Sequence, residues 1–458
     1  MQRLLTIAIL TWKAAFRFRL FWVLAVLLLS SVIALPLLLK DDQTARGFTQ
    51  LLLTYNLSVI TGLLGFSTLW LACGTLARDI EECQMQMVVV KPIARWQIWL
   101  GKWLGIVGLN AALLALAGGS VFGLLQWRAA RLPEAQQKIL RNEIFVARAS
   151  LKEPPPDLES AVERVFQDRI SKTPVAAAEH EAVRTQIREQ LKAGIQVVPP
   201  NHIRRWIFDL GLKKNFLRDQ PLFLRAKFYA AQTNATGTYL GLWQVGVPEK
   251  TRLWRDVKSQ ASDTFYEFAV DPNLFDEDGK LTIEFINRNE TALLFPIEDG
   301  FEVLYREGGF GLNFIRGLGI ILCWLALLAA LGLASASFLS FPVAAFFSVS
   351  LLMVTLSSDT LSNVVTEGGI LGSDHETGAI SSSWIDVVII PFFRALLHVI
   401  NLVQNFSPVE SLSTGRSITW GQLGLAFSQI VLLLGGMIAV TGIVLFTRRE
   451  LATAPGNS

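Results

Sequence analysis

Gly317 to Ser358 reads GLGIILCWLALLAALGLASASFLSFPVAAFFSVSLLMVTLSS, 42 residues without one charged side chain. A bilayer core about 30 Å thick is crossed by about 20 apolar helical residues. At about 1.5 Å of rise per residue, this run is twice as long as one crossing needs. Its middle, Ser335-Ala-Ser-Phe-Leu-Ser-Phe-Pro342, brings together small polar residues and a proline, which mark a tight hairpin. The run therefore predicts two antiparallel membrane helices within 311–358. Working outward, charge-free runs recur at Phe21 to Leu39, Leu51 to Ala77 and Leu104 to Leu125 upstream, and at Trp420 to Phe446 downstream. The first of these exceeds the apolar region of a signal peptide, and no small-residue cleavage site follows before Lys40-Asp-Asp42. The reading is an α-helical polytopic membrane protein of about six transmembrane helices.

Composition agrees with that class. The chain is 52% hydrophobic and 17% charged, against about 25% charged in soluble domains. The charges crowd into the middle third, so the flanks face something other than water. A net charge of +3 gives no electrostatic case for nucleic acid. Three cysteines, Cys73, Cys83 and Cys323, lie in or beside apolar stretches and offer neither a disulfide framework nor a CxxC metal site. No phosphate loop occurs, since Gly101-Lys-Trp103 lacks both the upstream glycine and the following hydroxyl. HExxH and GxSxG motifs are missing too, and the four histidines, His180, His202, His375 and His398, are scattered. Neither a catalytic residue nor a metal or cofactor site is expected in this chain.

Orientation follows from lysines and arginines in short loops. Arg3, Lys13, Arg17 and Arg19 precede the first span; Arg78, Lys91, Arg95 and Lys102 follow the second; Arg448 and Arg449 follow the last. With six spans these segments share one side. The opposite short loop holds Lys40 and Arg46, offset by Asp41 and Asp42. Both termini are therefore expected in the cytoplasm, in a plasma (inner) membrane, with the long middle segment outside. Residues 448–458 form the cytoplasmic tail.

That middle segment divides in two. Residues 126–220 are charged and rich in Ala, Glu, Gln and Arg, with helical spacing at Leu158 to Ile170 and Glu179 to Ile195 around Pro154-Pro-Pro156. From 221 to 310 the period changes to two. Leu222 to Tyr229, Tyr239 to Val247, Phe265 to Val270, Leu281 to Asn287 and Phe301 to Tyr305 read as strands, with turn dipeptides at Asp278-Gly279 and Asp299-Gly300. Strands joined by short turns without helices predict an antiparallel β-sandwich. Asp276-Glu-Asp-Gly279 is a solvated hairpin turn or a seat for a hard cation. Tyr229, Trp243, Trp254 and Tyr266 are core aromatics or a ligand platform for a sugar or lipid.

The loop 78–102 is the most informative stretch. Arg78-Asp-Ile-Glu-Glu82 leaves the second span, Val88-Val-Val-Lys-Pro-Ile-Ala-Arg-Trp96 follows, and Ile98-Trp-Leu-Gly-Lys102 enters the third. It reads as a short amphipathic segment parallel to the membrane, with Glu81, Glu82, Lys91 and Arg95 toward the cytosol and Pro92 ending the local helix. Such a loop anchors two helices or offers a knob to a soluble partner. Near the other end, within 359–419, Trp384 to Val403 is apolar but interrupted by Asp386, Arg394 and His398. A charge at mid-bilayer costs at least about 2.5 kcal/mol. An interfacial or re-entrant helix is expected at 384–403, with Arg394 and His398 on one face and Ile389, Phe393 and Leu397 on the other.

The loop motifs, Arg-x-Ile-Glu-Glu, Lys-Pro-Ile-x-Arg and Leu-Gly-Lys, resemble those of ABC transporter permeases of the type 2 exporter class, in particular the six-helix permeases related to the nitrous-oxide reductase maturation permease. The basic stretch 1–20 is similar to that family's interfacial elbow helix. Ile390 to Pro408 resembles its extracytoplasmic helix before the last span, and Leu445-Phe-Thr-Arg-Arg-Glu450 its basic stop. The resemblance covers 1–125 and 311–450. It implies that Glu81, Glu82, Lys91, Pro92 and Arg95 touch a separate cytoplasmic ABC ATPase that binds the ATP. It also implies that the chain pairs with a second copy or a homologous permease among membrane lipids. The competing reading is a membrane-anchored binding or scaffold protein whose outer β-sandwich recognises a cell-envelope ligand.

Overall fold

A computed structural model describes residues 2–17, 19–38, 45–82, 93–154, 156–172, 180–211, 214–234, 236–248, 250–297, 299–367 and 386–449. The chain is mostly helical and forms two compact units, Met1–Ala147 with Gly308–Ser458, and Arg148–Glu307. In chain order the helices before the inserted unit are α1 (Gln2–Arg17), α2 (Leu20–Leu38), α3 (Ala45–Glu81), α4 (Arg95–Ala129) and α5 (Glu134–Glu143). The inserted unit carries α6 (Leu158–Lys172), α7 (His180–Gln196) and the short α8 (Lys214–Leu217). After it come α9 (Phe310–Ala336), α10 (Phe341–Leu356), α11 (Ser358–Glu367), α12 (Asp386–Gln404) and α13 (Pro408–Ser413). The closing helix is α14 (Trp420–Ala426), a π-helical run Phe427–Gly435, and α15 (Gly436–Arg448).

Five helical stretches are long and apolar enough to cross a membrane: Gly47–Glu81, Arg95–Ala129, Phe310–Ala336, Ile389–Ser413 and Trp420–Arg448. The α1–α2 pair adds a sixth if taken as one bent span, its two helices meeting at 68°. The 42-residue run divides at Ser337–Ser340 into α9 and the shorter α10. Proline at the second position of α10 fits there because that position needs no N–H donor. The third apolar helix begins at Arg95, well before the charge-free stretch does, so Arg95 and Lys102 lie on α4 itself.

The helical unit packs through small residues where backbones meet. α1 lies along the first third of α4. A Cβ built on Gly105 would stand 2.7 Å from Thr11 Cβ and 3.0 Å from the Ala8 carbonyl oxygen. The Trp12 indole donates to the Gly105 carbonyl at 2.8 Å. Between α3 and α9, a Cβ on Gly332 would meet Ala72 Cβ at 2.6 Å. The Trp103 indole donates to the Ala326 carbonyl at 2.9 Å, tying α4 to α9. Such small-residue contacts suit apolar helices, which gain little from excluding lipid from one another.

The inserted unit holds eleven described strands: β1 (Val146–Lys152), β2 (Val197–Val198), β3 (Ile203–Asp209), β4 (Leu222–Ala226), β5 (Tyr229–Ala230), β6 (Thr238–Val245), β7 (Trp254–Ala261), β8 (Tyr266–Val270), β9 (Lys280–Asn287), β10 (Leu293–Leu294) and β11 (Phe301–Gly309). They form sheets β1-β11-β4-β8 and β3-β9-β6-β7 and a small β2-β10-β5. The pairs β3–β9, β4–β8, β4–β11, β6–β7 and β6–β9 are all antiparallel. Inward residues of both four-stranded sheets, among them Trp206, Leu224, Trp243, Phe285 and Phe301, share one apolar core. Trp206, Trp243 and Phe301 stack on one another, with Trp206 4.3 Å from Phe301 and 6.1 Å from Trp243, and Trp243 5.6 Å from Phe301.

Two expectations change. Residues 126–220 are not only helical, since they supply β1, β2 and β3. The stretch VARASLK of β1 has a helix-forming composition, and pairing within the sheet overrides it. The inserted unit begins at Arg148 rather than at 126, because α4 continues to Ala129 and Leu140 and Ile144 are buried in the helical unit's core. Strand β7, WRDVKSQA, was also not expected: it carries charge on both faces, as suits an exposed edge.

Candidate functional site

The residues of loop 78–102 that the structure describes sit where five helix ends meet: the C-termini of α3, α9 and α15 and the N-termini of α4 and α10. Polar side chains join those ends. Glu81, on the last residue of α3, accepts the Phe341 N–H at 2.9 Å. Phe341 opens α10, whose own Ser340 makes no side-chain cap, so a carboxylate from another helix supplies it. Negative charge there also complements the helix dipole. The Arg78 guanidinium lies 4.5 Å from the centre of the Phe341 ring.

Arg95 does the opposite at a C-terminus. Its Nη1 donates to the carbonyls of Phe446 (3.0 Å), Thr447 (2.7 Å) and Arg449 (3.0 Å), the end of the closing helix. Arg449 in turn reaches the carbonyls of Ser337 at 3.3 Å and Ala336 at 3.4 Å, the end of α9. Lys102, nearly buried, pairs with Asp79 at 2.6 Å and donates to the Thr75 carbonyl at 2.8 Å, closing α3 on α4. Last-turn carbonyls have no intrahelical partner, so Arg95 and Arg449 satisfy acceptors that would otherwise need water.

Of the residues expected to couple to a partner, Glu81 and Arg95 therefore lie at one end of the unit but bind their own helices. Glu82 is exposed. Lys91 and Pro92, with the expected membrane-parallel segment around them, lie outside the described residues. Sequence reasoning missed Asp79, Lys102 and Arg449 as partners. The 23-residue gap between Asp79 and Lys102, and the 112-residue gap between Ser337 and Arg449, leave no local signal.

The helix expected at 384–403 is α12, which opens at Asp386. Arg394 and His398 are exposed, while Phe393, Leu396, Leu397, Ile400 and Val403 form its covered side. Ile400 is buried, and the Gln404 amide donates to Ser358 Oγ at 2.9 Å. The chain thus returns at Gln404 to the end of the unit it reached at Ser358.

The four aromatics of the possible platform do not converge on a surface. Trp243 has no exposed area and belongs to the core, 4.8 Å from Phe285. Trp254 stacks on Phe268 at 6.0 Å, and the Tyr266 hydroxyl accepts the Ala261 N–H at 2.9 Å. Only Tyr229 among them is classed as exposed, 5.0 Å from Lys227 Nζ. Lys227 pairs with Asp263 at 2.9 Å. Hydrogen bonds from Lys227 and Tyr229 hold the Asp263 carboxyl below its ordinary range. Bonds to Tyr229 and Asp263 raise Lys227 above its own. In the turn at Asp276, Asp276 Oδ1 accepts the Lys280 N–H at 2.7 Å. Among the described residues no group of three or more His, Cys, Asp or Glu gathers as metal ligands.

One surface was not foreseen. Register places Ile203, Ile286, Leu242 and Val257 side by side across all four strands of β3-β9-β6-β7, on the face away from the core. Ile203 is 55% and Val257 58% exposed. The next row is polar: Arg205 bonds Glu284 at 2.7 Å, and Arg255 bonds Gln244 at 2.8 Å.

Comparison with protein-family models finds no match, and comparison with curated proteins finds none either.

Proposed function

We propose that this chain is the membrane-spanning permease subunit of an ABC exporter, driven by a separately encoded cytoplasmic ATPase and paired with a second copy or a homologous permease. The observation that carries this reading is the joining of five helix ends at the loop 78–102. A partner pressing there would act on the closing helix through Arg95, on α9 through Arg449 and on α10 through Glu81. A loop that merely anchored two helices would need no such ties to three others.

The loop end is taken as cytoplasmic. Arg78, Arg95, Lys102, Arg448 and Arg449 cluster there, with α1 and its Arg3, Lys13 and Arg17 against the first third of α4. The opposite end is also basic, with Arg128, Arg131, Arg141, Arg316 and Arg416, but the long segment leaving it is exempt from the short-loop bias. The scaffold reading draws support from the aliphatic row Ile203, Ile286, Leu242 and Val257. Exposed apolar surface rimmed by polar groups marks interaction sites.

Two measurements test the proposal. In a background without native cysteines, Ser262→Cys should react with an impermeant maleimide added outside intact cells. Labelling only after the membrane is opened overturns the orientation. Glu82→Lys should weaken copurification of a cytoplasmic ABC ATPase and leave membrane insertion intact. Should no ATPase copurify with the wild type, the scaffold reading stands in its place.

A further inference from the structure

A cavity of about 230 Å³ opens where α4 ends, at the end of the helical unit opposite the loop. Gln126, Gln137 and Arg141 give it polar walls; Ala129, Ala130 and Phe145 give it apolar ones. The Gln137 amide is engaged, donating to the Leu132 carbonyl at 2.8 Å. Arg141 is exposed and makes no ion pair among the described residues.

The level of this cavity along the unit is marked independently. Trp127 and Trp420 are exposed by more than half, and each has a guanidinium on its ring: Arg131 at 3.8 Å and Arg316 at 5.6 Å. Arg128 sits over Phe48 at 3.4 Å. Exposed tryptophans and stacked arginines at the end of an apolar helix lie where hydrocarbon gives way to headgroups. Trp96 is exposed near the other end of α4. About 46 Å of helix separates the two tryptophans, close to the full thickness of a bilayer with its headgroups.

We propose that this cavity binds the headgroup of an anionic phospholipid, with the phosphate on Arg141, the amide of Gln126 beside it and the acyl chains descending past Ala129. The site rests on the membrane-spanning part of the proposed function and on nothing about the ATPase. A free cation at headgroup depth, beside a recess with one polar and one apolar wall, fits an anionic amphiphile. A zwitterionic lipid would bring its own cation to the same guanidinium.

The full chain, purified in a non-ionic detergent, tests this by thermal melting against added dioleoylphosphatidylglycerol, dioleoylphosphatidylcholine or inorganic phosphate. Phosphatidylglycerol should raise the melting temperature at a lower concentration than phosphatidylcholine, and phosphate alone should not. Arg141→Gln should raise the half-saturating phosphatidylglycerol concentration roughly tenfold, as loss of one charge-assisted contact does. Ala129→Phe, which fills the recess, should do the same without changing the lipid-free melting temperature. Arg394→Gln, exposed on a different helix, should leave the curve within about twofold. An unchanged curve in Arg141→Gln, an equal shift in Arg394→Gln, or stabilisation by phosphate alone overturns the site. A chain that stays in solution without detergent overturns the membrane reading itself, a separate result.

Discussion

Replacing Arg95 by glutamine should loosen the last turn of the closing helix without dissolving the unit around it. The size of the effect comes from the donor. Nη1 carries two hydrogens, so its three carbonyl contacts amount to two strong bonds, one of them shared. A hydrogen bond involving a charged group contributes about 1.5–3 kcal/mol. Two at the lower limit come to about 3 kcal/mol, and water can replace part of the bond at the exposed Thr447 carbonyl, leaving about 2–3. Glutamine is too short to reach the same acceptors. At about 1.4 kcal/mol per factor of ten, amides of the last turn should exchange with deuterium roughly 30- to 150-fold faster. Hydrogen exchange with mass spectrometry, read on peptides spanning 440–449 in the purified full chain, measures this directly. Arg448→Gln is the control: Arg448 is exposed in the same turn and its dipole contribution, about 0.5 kcal/mol, predicts a change of about twofold. Unchanged exchange in Arg95→Gln, or an equal rise in Arg448→Gln, would show that the cap does not hold the helix end.

Two other outcomes follow from contacts described above. Gly105→Leu puts a side chain where Thr11 Cβ and the Ala8 carbonyl already stand, so α1 must move off α4 at a cost of about 1–3 kcal/mol. Thermal unfolding should show the loss, and Gly119→Leu, which meets nothing within 4 Å, should not. The Lys227–Asp263 pair gives a pH signature. Because the Asp263 carboxyl titrates below its ordinary value of about 3.9, its contribution is complete above that pH and is lost as pH falls through the lower folded value. Because Lys227 titrates above its ordinary value of about 10.4, that contribution is complete below it and is lost only as pH rises further. The melting-temperature difference between wild type and Lys227→Met should therefore be flat from about pH 5 to 9 and shrink at both extremes. A difference that shrinks near neutrality would point to another group.

The long apolar runs were legible because a charge-free stretch of that length has few other uses, and the hairpin at Ser337–Ser340 because small polar residues and Pro342 stand together. Strands β4, β6, β8, β9 and β11 were legible from runs rich in aromatic and β-branched residues between short turns, with Leu224 and Ala226 alternating against Arg225 and Lys227. β1, β3 and β7 were not. β3 places Ile203 and Ile207 outward and Trp206 and Phe208 inward, so hydrophobicity does not alternate, and its seven-pair ladder with β9 makes it a strand. At the candidate site, Glu81 and Arg95 were found from their motif, but their partners were not. Backbone acceptors at Phe446 and a backbone donor at Phe341 carry no mark in the sequence, since every residue but proline has them.

The bond between Gln404 and Ser358 has a consequence for counting. A chain that departs from one end of a bundle and comes back to the same end has crossed it an even number of times, or not at all. Ser358 and Gln404 share one end, whether or not the stretch Ile389–Ser413, long and apolar enough to span, crosses. The parity of the segment is zero either way. Arg448 and Arg449 therefore keep their end of the helical unit whatever α12 does, and, on the membrane reading proposed above, reporters fused after Ser358 and after Ser411 should give the same reading.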